Sequence, residues 1–285
     1  EIAELDEILK SKARIKTIIV KELKSIAEKY GQPRKSIIIY DDVARYEEET
    51  VEIPDYPVNL FFTKEGYFKK ITPQSLRMSG EQKLKDGDEI IQELEFTNNC
   101  DLLFFTDKCQ VYKAKADDFA QTKASVLGDY VAAKLGFDEG ENAVKMVVTK
   151  DYKGMLLFAF ENGKAAKVPL ESYATKTNRK KLTGAYSDKS PLVGLLYMPE
   201  DEEVLFQASS GNMLLVHTGA LALKTTRSTQ GVAVLKPKKG HRLFSIERYK
   251  DGTFTNPKRY RTGSLPARGA LPVNDDSKDE QLSLI

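Results

Sequence analysis

Leu60-Phe61-Phe62-Thr63-Lys64-Glu65-Gly66-Tyr67-Phe68-Lys69-Lys70 decides the fold of this 285-residue chain. Two short runs rich in aromatic and aliphatic residues flank Lys64-Glu65-Gly66, and that is the pattern of a β-hairpin with a glycine at the turn. The arrangement recurs. A Leu-Phe pair precedes a turn residue at the same offset in Leu103-Phe104 before Cys109, Leu157-Phe158 before Gly163, and Leu205-Phe206 before Gly211. Successive turn positions lie 43, 54 and 48 residues apart. After the turn a returning strand carries a lysine at one fixed place, Lys70, Lys113 and Lys167, and the fourth copy has Leu215 there. A turn of glycine and a polar residue is a second marker, at Gly87-Asp88, Gly140-Glu141 and Gly240-His241. Glycine at the hairpin turn fits a positive φ, so Cys109 in that place is a departure that strains the turn or changes its type.

Working outward, further strands are expected at Ser36–Tyr40, Ile90–Phe96, Val144–Val148, Val193–Tyr197, Met213–Val216 and Val232–Leu235. A period of roughly 50 residues with about four strands is one blade of a propeller, a unit that buries its two faces only when stacked on neighbours. The fold expected is all-β, a propeller of about five blades with four clear repeats. The fifth, around Phe254–Thr262, is degenerate and would be completed by Ser36–Tyr40.

Before the repeats, Leu5, Ile8, Leu9, Ile15, Ile18, Ile19, Leu23, Ile26 and Tyr30 recur at three- and four-residue steps, as in an amphipathic helix. Gly31 is expected to cap it and Pro33 to stop it. It reads as the end of a coiled coil or as a helix packed on its own domain. The domains expected are therefore a helix over 1–31, a blade domain over 36–272, and a disordered tail over 273–285 carrying Asp275, Asp276, Asp279 and Glu280.

Hydrophobic residues make up 41% of the chain and charged residues 30%, a globular balance that excludes wholesale disorder. No apolar run approaches the roughly 18 residues of a membrane span. The first residues lack the basic start and apolar stretch of a secretory signal, which points to the cytoplasm. Two cysteines and two histidines make a thiolate metal site or disulfide framework unlikely to be the organising element, so neither is expected. Walker A, Gly-x-Ser-x-Gly and His-Glu-x-x-His sequences are all missing, and a catalytic site is not expected. Tyr260, within Arg259-Tyr260-Arg261-Thr262, is expected to be structural.

Charge points instead to a binding surface. The formal net charge is only +2, yet residues 41 to 55 hold seven acids against Arg45, while 164 to 182 hold six bases against Glu171 and 221 to 249 hold seven against Glu247. Bases placed once per blade suit a polyanion followed along a rim. The residues expected to line such a rim are Lys69, Lys70, Arg77, Lys113, Lys123, Lys167, Lys176, Arg179, Lys180, Lys181, Lys224 and Arg227. For each, the competing reading is a solvated strand or loop charge. For the whole chain, the competing reading is a propeller adaptor that binds proteins through its central face.

Tyr30-Gly31-Gln32-Pro33-Arg34-Lys35-Ser36 after the helix, followed by the hairpin quoted first, resembles the coiled-coil exit and first C-terminal blade of bacterial type IIA topoisomerase A subunits. Leu102–Lys108 with Val111-Tyr112-Lys113, and Thr226-Arg227-Ser228-Thr229-Gln230-Gly231-Val232, are similar to later blades of the same family. The resemblance runs to about residue 250. It implies a β-pinwheel that binds and bends or wraps duplex DNA, presents the transported segment and sets topological preference. It also implies a cytoplasmic, chromosome-associated parent isomerase in which the A-subunit dimer and an ATPase B subunit are partners and ATP and Mg2+ act elsewhere. One departure matters. Where the gyrase members carry a basic box of the form Gln-Arg-Arg-Gly-Gly-Lys-Gly, this chain has Leu76-Arg77-Met78-Ser79-Gly80-Glu81-Gln82-Lys83. That loss of clustered charge and backbone amides argues against gyrase-type wrapping and toward topoisomerase IV.

Overall fold

The computed structural model describes residues 2–32, 53–78, 81–175 and 180–273. The chain divides into two compact units, residues 1–51 and 52–285.

The first unit holds two helices, α1 (Ile2–Lys10) and α2 (Lys12–Tyr30), where the hydrophobic spacing alone predicts one. Ser11 is the reason for the break. Its backbone is extended, and its side chain accepts from the Arg14 amide at 3.4 Å as an N-cap for α2. Gly31 ends α2 at φ −60°, so it does not use the left-handed cap conformation that glycine suggests. The α2 stripe of Ile18, Ile19, Leu23 and Ile26 is exposed.

The second unit is built from strands. In chain order they are β1 (Pro57–Thr63), β2 (Tyr67–Ile71), β3 (Ile90–Thr97), β4 (Asp101–Thr106), β5 (Gln110–Lys115), β6 (Asp129–Tyr130), β7 (Ala143–Thr149) and β8 (Met155–Phe160). Then follow β9 (Lys164–Pro169), β10 (Lys181–Thr183), β11 (Leu192–Met198), β12 (Glu203–Ala208), β13 (Met213–His217), β14 (Val232–Ala233) and β15 (Leu243–Arg248). They form four antiparallel sheets, ordered β3-β1-β2-β6, β10-β5-β4-β7, β11-β8-β9-β14 and β13-β12-β15. These are the four repeats read from the Leu-Phe pairs, arranged as the blades of a propeller.

Each of the first three sheets finishes with a two- or three-residue strand lent by the following repeat: β6 on β2, β10 on β5, β14 on β9. The fourth sheet takes its lent edge from the end of the chain. Met213 and Ala270 exchange both backbone hydrogen bonds, at 2.8 and 2.9 Å. Glycine marks the junction. A Cβ on Gly231 would stand 1.9 Å from the Ala165 carbonyl oxygen, and one on Gly269 would stand 2.4 Å from that of Met213. The stretch Phe254–Thr262 is thus no further sheet: Phe254 and Tyr260 bury against Leu215 on the fourth. The strand expected at Ser36–Tyr40 and the acidic tail beyond Val273 lie outside the described residues.

The Leu-Phe pairs are core. Leu60, Leu103, Phe104, Leu157, Phe158 and Phe206 are buried, and one apolar cluster spans each junction between consecutive sheets. Cys109 does adopt the left-handed conformation, φ 56°, beside Gly66 at 84° and Gly163 at 79°. The second marker ties each long connection back to a hairpin. Asp88 Oδ1 accepts from the Glu65 amide at 2.9 Å, Glu141 accepts from the Thr106 hydroxyl, and His241 Nδ1 lies 3.3 Å from Ser209 Oγ.

Candidate nucleic-acid interface

The recurring lysines are inside the protein. Lys70 is 2% exposed, and its Nζ donates to Asn98 Oδ1 at 2.6 Å and to the Ala116 carbonyl at 2.7 Å. Lys167 is 5% exposed and repeats the arrangement two sheets on, with Asp201 Oδ1 at 2.9 Å and the Thr218 carbonyl at 2.8 Å. In each case the lysine sits on the second strand of one sheet. Its acceptors are a polar side chain entering the next sheet and the first carbonyl after that sheet's own second strand. Lys113, half-buried, reaches Thr175 Oγ1 at 3.0 Å and lies 4.8 Å from the centre of the Tyr152 ring, so an aromatic face replaces the carboxamide or carboxylate. Leu215 packs on Phe254 and Tyr260 instead.

Lys69, also buried, donates to the Lys83 carbonyl at 2.6 Å, Gln82 Oε1 at 3.2 Å and the Ala124 carbonyl at 3.3 Å. Burial pulls the ammonium groups of Lys69, Lys70 and Lys113 below the ordinary lysine range. Lys167 and Asp201 form an ion pair, and the hydrogen bond from Lys167 holds the Asp201 carboxyl below the usual carboxylate range. Lys69, Lys70 and Lys167 therefore leave the set of rim residues, because an ammonium buried this deeply, with two or three of its donors already spent inside the protein, is out of reach of a phosphate.

The rim lies one strand further out. The segment that flanks the second strand of each sheet meets the lysine position at the same register. Gln121 bridges Lys70, the Lys113 amide donates to the Lys180 carbonyl at 2.7 Å, Leu223 bridges Lys167, and the Leu215 amide donates to the Tyr260 carbonyl at 2.8 Å. At or within two residues of those four points stand Lys123, Lys180, Lys224 and Arg261. Lys123 and Lys180 are exposed and Lys224 is half-buried; none makes an ion pair or side-chain hydrogen bond among the described residues. Arg261 is held by both carboxylate oxygens of Glu203 at 2.6 Å, while Lys258, Arg259 and Arg268 nearby in the chain are exposed and make no ion pair among the described residues, Arg259 donating its Nε to the Leu271 carbonyl at 3.4 Å.

The other residues singled out by sequence fall as follows. Arg77 is exposed at the end of the five-residue helix α3 (Pro73–Arg77). Lys181 sits over the Tyr112 ring, its Nζ 2.8 and 2.7 Å from the two oxygens of Asp138. Arg227 donates to the Ser172 carbonyl at 3.2 Å above the Tyr173 ring. Lys176 and Arg179 lie outside the described residues. Lys258, Arg259 and Arg268 were not singled out, because only the register of the lent edge reveals that the chain's end serves as a rim segment. Among the described residues no group of His, Cys, Asp and Glu is placed to hold a metal ion, and no helix is long and apolar enough to cross a membrane.

Four blades whose edges are each completed by a segment from further along the chain, three of them with a buried or half-buried lysine on the second strand, have the architecture of a β-pinwheel. No family model matches the chain. The DNA gyrase A subunit of Streptomyces coelicolor is 27% identical over 89% of the chain and 31% of its own length. That of Metamycoplasma arthritidis is 25% identical over 96% of the chain and 33% of its own. The chain thus spans about a third of the length of the gyrase subunits it matches. Among solved structures, the C-terminal domain of a DNA topoisomerase IV superposes with a TM-score of 0.61 at 24% identity, covering 70% of this chain and 63% of that one. The chain is similar in sequence to DNA gyrase A subunits, and its fold is that of the C-terminal domain of a DNA topoisomerase IV.

Proposed function

We propose that this domain binds duplex DNA along the outer segments of its four sheets and bends it without completing a chiral wrap. The observation that carries the reading is proximity to one repeated feature: an exposed or half-exposed base lies within two residues of the segment that meets the lysine position on three successive sheets, at Lys123, Lys180 and Lys224, and Lys258, Arg259 and Arg268 stand on the segments that flank the fourth. Charges spaced this way neutralise phosphates in succession and need no base edges, so binding is independent of sequence and falls with salt. Arg77, Lys113, Lys176, Arg179, Lys181 and Arg227 flank the same path and add to its field.

Bending without wrapping follows from the first sheet. In the stretch Leu76–Lys83 where gyrase members carry the basic box, Gln82 and the Lys83 carbonyl serve as acceptors for buried Lys69. Arg77 and Lys83 are the exposed bases left in that stretch, a weaker clamp for a DNA end than the clustered charge of the box. Smooth bending of a short site costs on the order of 1 to 6 kcal/mol, within reach of a few phosphate contacts, whereas a full turn needs contacts around the whole rim. In the parent enzyme, an ATP-dependent isomerase of A and B subunits in the cytoplasm, the domain would present the transported segment. The test is titration of a fluorescent duplex at several salt concentrations with wild type and with Lys123→Glu, Lys180→Glu and Lys224→Glu combined. Salt-insensitive affinity, or equal affinity in the triple variant, would falsify the reading.

A further inference from the structure

The edge strands of neighbouring sheets are stitched together at two places. Gln92 on β3 donates to the Met146 carbonyl of β7 at 2.8 Å and accepts from the Met146 amide at 2.7 Å. Gly194 on β11 lets β15 approach so closely that a Cβ there would stand 2.5 Å from Ile246 Cγ1. Between β7 and β11 there is instead a cleft of about 470 Å³. Its walls include Val144, Leu195, Leu196, Ile246 and Tyr186, and Lys145 lines it.

Lys145 is half-buried and makes no hydrogen bond or ion pair among the described residues. Asp107 is the one carboxylate on the cleft wall, and Asn142 occupies both of its oxygens through its amide and its Nδ2, each at 3.0 Å. Burial, and after it the like charge of Arg248, pulls the Lys145 ammonium below the ordinary lysine range. Arg248 itself donates to Glu202 at 2.9 Å. A cation held among apolar walls without a counter-charge loses hydration and gains nothing in exchange. An anion brought to it would restore a charge-assisted hydrogen bond. The volume falls within the range of small-molecule sites, which combine apolar walls with a few convergent polar groups.

We propose that this cleft binds a small organic acid, its carboxylate on the Lys145 ammonium and its apolar body against Leu195, Leu196 and Ile246. None of the rim bases lines the cleft, so the site stands apart from the DNA surface and does not depend on it.

The experiment is calorimetric titration of the full chain with three six-carbon probes that differ only in head group: hexanoate, hexanol and hexylamine. Hexanoate binds saturably at one site, and the neutral and cationic probes bind at least about tenfold more weakly, as expected for a charge-assisted contact. Lys145→Met weakens hexanoate by about 10- to 100-fold, Lys145→Arg retains it, and Val144→Phe, which fills the cleft and keeps the charge, abolishes it. Affinity for duplex DNA is the same in wild type and Lys145→Met, which separates this site from the rim. The proposal is overturned by hexanoate binding unchanged in Lys145→Met, by hexylamine binding as well as hexanoate, or by no saturation up to about 10 mM. Capture of an acidic peptide but not of hexanoate overturns it too, in favour of a protein-docking cleft.

Discussion

The Nζ of Lys70 sits 2.7 Å from the carbonyl oxygen of Ala116, forty-six residues along the chain and one sheet further on. Lys167 makes the same bond to Thr218, so a buried ammonium joins the first sheet to the second and the third to the fourth. These lysines are latches between blades. Replacing Lys70 by Met strands Asn98 Oδ1 and the Ala116 carbonyl in the interior, at a cost of about 1–3 kcal/mol. The variant is expected to unfold at lower urea concentration with an unchanged slope, and to bind DNA as wild type does once folded. A fall in DNA affinity without loss of stability would return Lys70 to the rim.

Leu215 is the position where the latch gives way to an apolar contact, and Tyr260 closes over it at 1% exposure. Tyr260→Ala is therefore expected to cost about 3–5 kcal/mol, the range for emptying a large aromatic site. Removal of residues 274–285 is expected to leave the melting temperature unchanged and to raise DNA affinity modestly, because four acids are lost with one lysine and the chain becomes more positive. Thermal melts and duplex titrations of the two variants separate these effects; lower affinity in the truncation would mean that the tail touches DNA.

The Asp201 carboxyl titrates below its usual range because Lys167, and then Thr218, donate to it. A carboxylate whose folded pKa is depressed contributes stability above its unfolded pKa and loses it as pH falls through the folded value. Stability is accordingly expected to drop as the pH goes below about 4, and Asp201→Asn is expected to flatten that part of the curve. Chemical unfolding between neutral pH and pH 3 would reveal it; superimposable profiles would mean the pair carries no pH-linked stability.

Much of this architecture is legible in the sequence, because the Leu-Phe pairs, the turn glycines and the polar residue after Gly87 and Gly140 each mark a packing or hydrogen-bonding requirement that recurs with the blade. The lysine repeat was equally visible and pointed the wrong way. A base at a fixed place in three copies looks like a solvent-facing row, yet in two of them it answers acceptors that recur inside the protein: Asn98 with Ala116, and Asp201 with Thr218. Those acceptors come from the next repeat, so no local window contains them. The same holds for the lent edges. Asp129–Tyr130 and Val232–Ala233 are two-residue strands defined wholly by a partner far away in the chain, and Ala270 is a single bridge. The break at Ser11 was hidden because the hydrophobic spacing runs across it, and only a capping hydrogen bond divides the helices.

If the rim is read correctly, each base removed from it also removes released counterions. Single charge reversals at Lys123, Lys180 or Lys224 are expected to weaken binding to unrelated duplex sequences alike and to lower the slope of log affinity against log salt by about 1 each. Reversal at Lys180 is expected to weaken binding more than reversal at Arg77, since the first sheet lacks the basic box. Sequence-dependent losses would point to base contacts that this surface is not expected to make.

The central claim is that the outer register bends DNA without wrapping it, and one measurement tests it most directly: energy transfer between dyes at the two ends of a duplex of several tens of base pairs, run beside plasmid ligation with the same protein. The account expects the ends to draw together on binding, the change to vanish when Lys123, Lys180 and Lys224 are reversed to Glu, and plasmid linking number to stay near that of free DNA. A large positive linking-number shift would contradict it, because a chiral wrap would then form without the box, as would unchanged end-to-end distance at saturating protein.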